Sequence, residues 1–563
     1  MTKPWLKQYD PDVSTNLKIP AIPLHEFLSD TAKRFPENEA ISFYGKSISY
    51  AKLDELSNRF GNVLKGFGIK PGDRVAIMLP NTPHCVISYY GILKIGGVVV
   101  QTNPLYVERE IEHQLKDSGA EIMVALDLFY TRIKAVMEKT KLKRIMICRV
   151  TDFLPPILKL LYPIKAYIEG QRVRVDSKPF IDHFIPLIKS ASPLLVHQSV
   201  DPGDIALLQY TGGTSGTAKG VMLTHANLVT NTLQCRSWMP DLKDGKETFL
   251  AVIPFFHVFG MTACMNLAIC LGGRMILIPK FKTAEVIRNI EKKRATVFFG
   301  VQAMYVAINH FEGIENRDIS SIKVCISGGG PLHLEVQEQF ESLTGGNLVE
   351  GFGLTEASPV THCNPIKGVR RKGAIGLPLP LTDAKVVDLE TGSKEMPAGE
   401  TGELILQGPQ VMKGYWNHPE ETRQTIRNGW LYTGDMAKMD AEGFFYIVDR
   451  KKDMIKTVGE NVYPREVEEV LFQFPKVKEA VVVGLPETFS VEIIKAYIVL
   501  NEGATATEDE VIAFCRKHLA KFKVPKIVEF RKELPKTIVG KVLRRILLEE
   551  ELKKTKENEG ISK

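Results

Sequence analysis

The chain has 563 residues, of which 73 Lys and Arg stand against 66 Asp and Glu for a formal charge of +7, with 44% apolar and 25% charged residues. These fractions exclude a disordered, collagen-like or membrane-embedded polypeptide, and the length suits about two to four globular domains. So mild a charge gives no ground for nucleic acid and suits an anionic small substrate. Met1 to Lys18 is polar and charged throughout, without the apolar heart of a secretion signal. From Arg74 the chain alternates β-branched runs with amphipathic stretches. Residues 74–80, 97–101, 121–125 and 144–148 read as strands, and the helix-length segments between them imply βαβ crossovers and a parallel sheet covered on both faces.

The apolar segment from Phe153 to Ile168 comes next, interrupted by Lys159, Lys165 and three prolines. Two readings fit it. One is a loop-helix insertion packed on the core. The other is peripheral contact with a membrane, apolar face down and ammonium groups toward anionic headgroups. No run of eighteen uncharged apolar residues exists, so no transmembrane helix is expected. A second strand series follows at 249–253, 274–278, 297–299 and 323–326. Residues 373–448 change character, with Gly and Pro punctuating short strands such as 384–387 and 403–406, which predicts a mainly β subdomain. Beyond the charged run Asp449-Arg-Lys-Lys-Asp453 lies a compact α+β pattern: helices at 465–472 and 508–519, strands at 479–483 and 496–500. The expected fold class is α/β: a large N-terminal domain, 1–451, of parallel-rich sheets plus the β-rich part, and a small mobile C-terminal domain, 452–563. Eight scattered cysteines without a C-x-x-C pair argue against zinc and disulfides, and point to a reducing cytoplasm.

The most informative stretch is Leu207-Leu-Gln-Tyr-Thr-Gly-Gly-Thr-Ser-Gly-Thr-Ala-Lys-Gly-Val-Met-Leu223, a strand, a loop of glycines and hydroxyls, a lysine and a second strand. Glycines let backbone N–H groups turn inward, and hydroxyls add donors, so such a loop cradles polyphosphate. It is not a Walker A loop, because Lys219 is followed by Gly220 rather than Ser or Thr. The segment Tyr210 to Gly220 closely resembles the phosphate loop of the adenylate-forming (AMP-binding) superfamily. Further signatures follow in order from about Phe27 to Arg545. The run Gly429 to Asp453 is similar to the fatty-acyl-CoA synthetase signature, and the nearest likeness is to prokaryotic long-chain fatty-acid–CoA ligases.

The resemblance implies a set of roles. Thr211, Gly212, Gly213, Thr214, Ser215, Gly216, Thr217 and Lys219 would hold the ATP phosphates. Gly351-Phe-Gly-Leu-Thr-Glu356 matches the adenine and magnesium segment: Glu356, with Thr211, would hold Mg²⁺, Thr355 would touch the α-phosphate, and Phe352 would cover the adenine, beside Gly353 and Leu354. The backbone of Gly329, Gly330 and Pro331 would run along the base. Asp435 and Arg450 would hold the ribose, a carboxylate being able to accept both hydrogen bonds of a cis diol. His257 and Met261 would line the acyl site. In Leu534-Pro-Lys-Thr-Ile-Val-Gly-Lys541, Lys541 would offset charge that develops at the α-phosphate. Lys452 matches the hinge, and Gly459 with Glu460 the route of the CoA thiol. For most of these motifs taken singly, a turn, a cap or a solvated lysine serves as well.

The implied enzyme is an AMP-forming acid–thiol ligase with ATP, Mg²⁺ and CoA: a fatty carboxylate is adenylated and then passed to CoA. Its expected partners are these small molecules, with no nucleic acid, and its expected place is the cytoplasm or the inner face of the membrane. Three departures from the family pattern stand out: Ala218 for proline, Val458 for a small residue, and the pair Ser490-Val491 where relatives carry Arg-Gly. The last falls on the CoA-facing side. An adenylating enzyme with a carrier-protein acceptor, a medium-chain or aryl acid as substrate, and a non-catalytic nucleotide-binding protein are the alternatives.

Overall fold

The computed structural model describes residues 3–170, 173–195, 198–212, 218–457, 461–488, 491–537 and 542–560. The chain's internal contacts gather into two units: Met1–Asp383 with Leu406–Leu431, and Ala384–Ile405 with Tyr432–Lys563.

The larger unit is built on two sheets. One has nine strands. Its centre is the parallel set Arg274–Leu277, Thr248–Ala251, Val297–Gly300, Val324–Ser327 and Asn347–Gly353. The other has eight strands. Its parallel core Val98–Gln101, Arg74–Met78, Ile122–Leu126 and Arg144–Cys148 continues to Ile205–Gly212, against which Ala218–Thr224 turns back antiparallel. Every residue of Val98–Gln101, Ile122–Leu126 and Val324–Ser327 is buried, as continuous β-branched runs under crossover helices require. Helix Pro83–Lys94 is buried along its whole length, whereas Tyr50–Gly66 is amphipathic, with Leu53, Phe60 and Leu64 inward and the Ser49 hydroxyl capping its first turn.

Both sheets send their strand ends toward a common set of loops, and buried amides fasten these together. Asn81, just past Arg74–Met78, donates to the carbonyls of Ala251 and Ile253 (3.0 and 2.9 Å) and accepts from the Phe255 amide (2.8 Å). In open α/β sheets this carboxyl end of the strands is where ligands bind.

The smaller unit holds most of the strands Asp383–Val387, Gly402–Gln407 and Trp430–Met439, which lie side by side, with Phe445–Arg450 antiparallel to the last. Its second sheet pairs Val477–Thr488 with Val491–Leu500, and Ile527–Phe530 runs parallel beside them. Helices Pro464–Phe472 and Glu508–His518 cover one face through Val467, Leu471, Val511 and Cys515; Leu534 and Leu547 cover the other.

The segment 153–168 forms helix Pro156–Ile168. Packing on the core holds only at its root and one face, where Phe153, Leu154 and Ala166 are buried. Its apolar stripe faces away from the protein, contrary to the packed-insertion reading. Among the described residues no helix is long and apolar enough to cross a membrane. All eight cysteines are buried and unpaired.

Candidate nucleotide and acyl site

In the larger unit the hydroxyl-rich loop springs from a hairpin. Ile205–Gly212 and Ala218–Thr224 pair so that Thr211 lies opposite Lys219 and Tyr210 opposite Gly220. The Tyr210 ring crosses Gly220, where a Cβ would sit 3.1 Å from it, and its hydroxyl donates to Asp117 Oδ2 at 2.6 Å. At the Ala218 departure the carbonyl meets the His113 ring Nε2 at 2.8 Å, a contact proline would also allow. Gly213, Thr214, Ser215, Gly216 and Thr217 lie outside the described residues.

A third strand, Gly414–Tyr415, adds to Ala218–Thr224 and places Tyr415 beside Val221. From there the ring lies under Lys219 (Nζ to centroid 5.3 Å), and the phenol donates to Glu356 Oε1 at 2.8 Å. Lys219 Nζ is also 3.7 Å from Glu421 Oε1. Burial, then the Glu356 charge, pushes the Tyr415 phenol well above its ordinary range, which keeps it a donor. Glu421 is held below the usual carboxylate range by its own backbone amide, then by Lys219 and His418. The predicted cation and the predicted carboxylate thus share one aromatic post. The sequence reading missed Tyr415 and Glu421, since neither stands in a patterned motif; the adjacent aromatics of Gly414-Tyr-Trp416 are the one local signal.

The segment Gly351 to Glu356 is shaped by backbone contact. A Cβ on Gly353 would lie 2.2 Å from the Pro359 carbonyl oxygen, and one on Gly351 2.9 Å from Ile326 Cγ2, so both positions demand glycine. Phe352 is half-buried, its ring 6.0 Å from that of His362, which burial drives down to about 3 and keeps neutral. Helix His225–Trp238 holds this segment with a polar seam at helical spacing. Asn227 donates to the carbonyls of Pro409 and Val411, Asn231 exchanges hydrogen bonds with Val360 (2.7 and 2.9 Å), Gln234 donates to Pro380, and Trp238 donates to Asn364. The Met412 amide donates to the Glu356 carbonyl (2.8 Å), completing the frame around the carboxylate. These amides look like ordinary surface residues in sequence; only burial on every side of the helix reveals their task.

Gly329, Gly330 and Pro331 form an exposed loop after Val324–Ser327, with Gly329 at φ +83°, and Leu332 donates its amide to buried Glu350 at 3.1 Å. His257 sits half-buried in the turn after Thr248–Ala251; its Nδ1 accepts from the Phe259 amide at 3.3 Å. The chain then enters the π-helix Gly260–Asn266, whose first residue comes so near the Pro254 carbonyl that a Cβ would be 2.5 Å away. Met261 is fully buried. Gln209, two residues before Thr211, donates to the Phe256 carbonyl at 2.9 Å, so the turn that carries His257 is tied to the strand that leads into the Gly/Thr loop.

In the smaller unit Asp435 and Arg450 are register partners on adjacent strands, with Arg450 Nε 2.6 Å from Asp435 Oδ1. Asp435 is buried while Arg450 is about one-third exposed, and Thr433 bridges Asp435 to Leu404. Lys452 is exposed in the turn that follows. Arg544, three residues beyond Lys541, donates to both oxygens of Glu468 (2.6 and 2.8 Å) and to Asp453 Oδ2 (3.3 Å). Gly459, Glu460 and Lys541 lie outside the described residues, as do Val458 and Ser490.

Among the described residues no group of three or more His, Cys, Asp and Glu is arranged to hold an ion. A lone carboxylate, Glu356, with one oxygen committed to Tyr415, suits a hard cation that arrives on phosphate oxygens and keeps much of its water.

The AMP-binding enzyme model matches residues 28–416, and that of the AMP-binding enzyme C-terminal domain residues 466–541. The chain is similar to the long-chain-fatty-acid–CoA ligase of Bacillus subtilis strain 168, 49% identical over 553 residues and 98% of each chain. It is likewise similar to the ligase of that name from Escherichia coli O6:H1, 40% identical over 555 residues and 98% of each. ATP-bound MatB from Rhodopseudomonas palustris matches in structure with a TM-score of 0.82 at 30% identity, over 94% of this chain and 99% of that one.

Proposed function

The chain belongs to the AMP-binding enzyme family, and from that we propose that it is an AMP-forming long-chain fatty-acid–CoA ligase. In the first step a carboxylate oxygen attacks the α-phosphorus of ATP, the bond to the β-phosphate oxygen breaks, and pyrophosphate leaves. In the second the CoA sulfur attacks the acyl carbonyl carbon, the carbon–oxygen bond to AMP breaks, and the thiol proton is lost. Adenylation is needed because a carboxylate offers thiol no leaving group better than oxide.

The observation that carries this reading is Lys219 and Glu356 gathered on Tyr415 at the mouth of the Gly/Thr hairpin: one cation for phosphate, one hard oxygen for a divalent ion. Glu356, with Thr211, would hold Mg²⁺, which supplies charge neutralisation at the phosphates. His257 and Met261 orient the acyl chain, Gly351 to Thr355 and Gly329 to Pro331 flank the base, and Asp435 with Arg450 takes the ribose. Lys541 steadies the charge on the attacked phosphate. Lys452 is the point about which residues 452–563 turn between half-reactions, bringing Gly459 and Glu460 to the thiol. A reducing cytoplasm suits the eight unpaired thiols, and the segment 153–168 supplies peripheral contact with the lipid phase in which long-chain acids reside.

The test is pyrophosphate release with C6 to C18 acids and several aryl acids, followed by single turnover of the adenylate with CoA or with a phosphopantetheinyl carrier protein. Long-chain preference with CoA-dependent AMP release is expected. No pyrophosphate from any acid removes the reading, and transfer to the carrier alone replaces CoA as acceptor.

A further inference from the structure

Helix Pro156–Ile168 is inverted. An amphipathic helix on a globular protein turns its apolar stripe to the core, yet here Ile157, Leu161, Ile164 and Ile168, at spacings of four, three and four, are 74%, 51%, 61% and 77% exposed. Leu160 and Tyr167 flank them on the same arc at 78% and 73%. The opposite arc is the one that meets the protein, through buried Ala166 and half-buried Tyr162. Together these side chains form one contiguous exposed apolar stripe, of the kind that marks an interaction surface.

The helix is nonetheless firmly rooted. Phe153 packs edge-on against the buried His84 ring at 4.7 Å, and Asp152, one residue earlier, meets His84 Nε2 at 3.0 Å. The stripe is therefore presented by the fold. Charge identifies what it is presented to. From Phe153 to Ile168 there is no acidic residue against the two lysines Lys159 and Lys165; wound at 100° per residue, position 165 falls about 40° beyond one edge of the apolar arc and position 159 about 80° beyond the other. A second copy docked about a two-fold axis would bring these lysines together with only Glu169, just past the helix, to offset them. An anionic headgroup layer accepts both the stripe and the flanking ammonium groups, and thirteen residues with Pro163 inside are too few to span it.

We propose that this helix lies in the plane of an anionic lipid bilayer, with Ile157, Leu160, Leu161, Ile164, Tyr167 and Ile168 sunk to the acyl boundary and the segment's positive charge drawn by the anionic headgroups. This deepens the membrane contact of the fatty-acid ligase reading, but vesicle binding needs no substrate, so the two fail separately.

The experiment is flotation of the full chain with phosphatidylcholine vesicles, with and without phosphatidylglycerol, alongside light scattering in the absence of lipid. The wild type is expected to float with the anionic vesicles. A Leu160→Ser/Ile164→Ser/Ile168→Ser variant, changed only at exposed positions and so keeping its Tm and circular dichroism, should lose at least roughly tenfold in bound fraction. Lys159→Glu/Lys165→Glu should lose roughly fivefold or more per lysine on anionic vesicles and little on neutral ones. Wild-type flotation no greater than that of the serine variant overturns the proposal. So does a lipid-free dimer that the serine variant makes monomeric, which would make a second copy the occupant.

Discussion

Tyr415→Phe isolates one hydroxyl. The ring that carries Lys219 at 5.3 Å is kept, while the 2.8 Å hydrogen bond to Glu356 Oε1 is lost. A hydrogen bond to a charged group contributes about 1.5–3 kcal/mol, so a Glu356 no longer held should lower the adenylation rate about 10–100-fold if its placement matters to the transition state. The backbone frame at Met412 and the amide seam from helix His225–Trp238 remain, so global stability should fall by no more than about the same 1.5–3 kcal/mol. The assay is ATP–pyrophosphate exchange across a magnesium titration, with Tm measured in parallel. Because the hydroxyl orients the carboxylate proposed to meet the cation, the deficit should be largest at limiting magnesium and narrow as magnesium rises. Wild-type exchange at every magnesium concentration, with Tm unchanged, would refute the reasoning: the phenol would then be a bystander and Glu356 would need no post.

Three further outcomes are expected. Gly353→Ala forces a Cβ to within 2.2 Å of the Pro359 carbonyl oxygen, a backbone atom that has nowhere to go, and should cost about 3 kcal/mol or more in urea unfolding. Arg544→Ala leaves Glu468, whose carboxyl burial already raises, without its partner, at about 3–5 kcal/mol. With that pKa raised further, the folded variant binds more protons than the unfolded chain at pH values between the ordinary and the raised carboxyl pKa, so its stability falls as pH rises and its deficit is smaller at pH 5 than at pH 8; a pH-independent deficit in thermal unfolding would contradict this. Lys541→Ala should lose roughly 10²–10³-fold in pyrophosphate exchange while ATP still binds by calorimetry, and unchanged exchange would void the assigned role.

Much of the architecture was legible because parallel strands are short and apolar throughout. The apolar runs give Arg144–Cys148 to the residue, and 97–101, 274–278 and 323–326 to within one residue of the observed ends. The strand at 479–483 was read too short. Val477–Thr488 runs on through Gly484, where an added Cβ would lie 3.0 Å from Glu492 and Ile455, and glycine in a strand reads as a stop when the neighbour that covers it is unknown. The helix in 153–168 was anticipated as a segment, but which way its stripe faced was not, since periodicity gives an arc and no direction.

Local order along the chain determined the Gly/Thr hairpin, because it depends on what a few consecutive residues let the backbone do, while the family resemblance singled out Gly351 to Glu356 and the Asp435 and Arg450 positions. Tertiary structure alone decided that Tyr415 stands between Lys219 and Glu356, that Asn81 and Gln209 bind the acyl segment to the other sheet, and that Asn227, Asn231 and Gln234 are a buried seam. These pairs are separated by tens to hundreds of residues. A polar side chain shows its purpose only when the fold removes it from water and leaves it the few partners that tertiary packing brings.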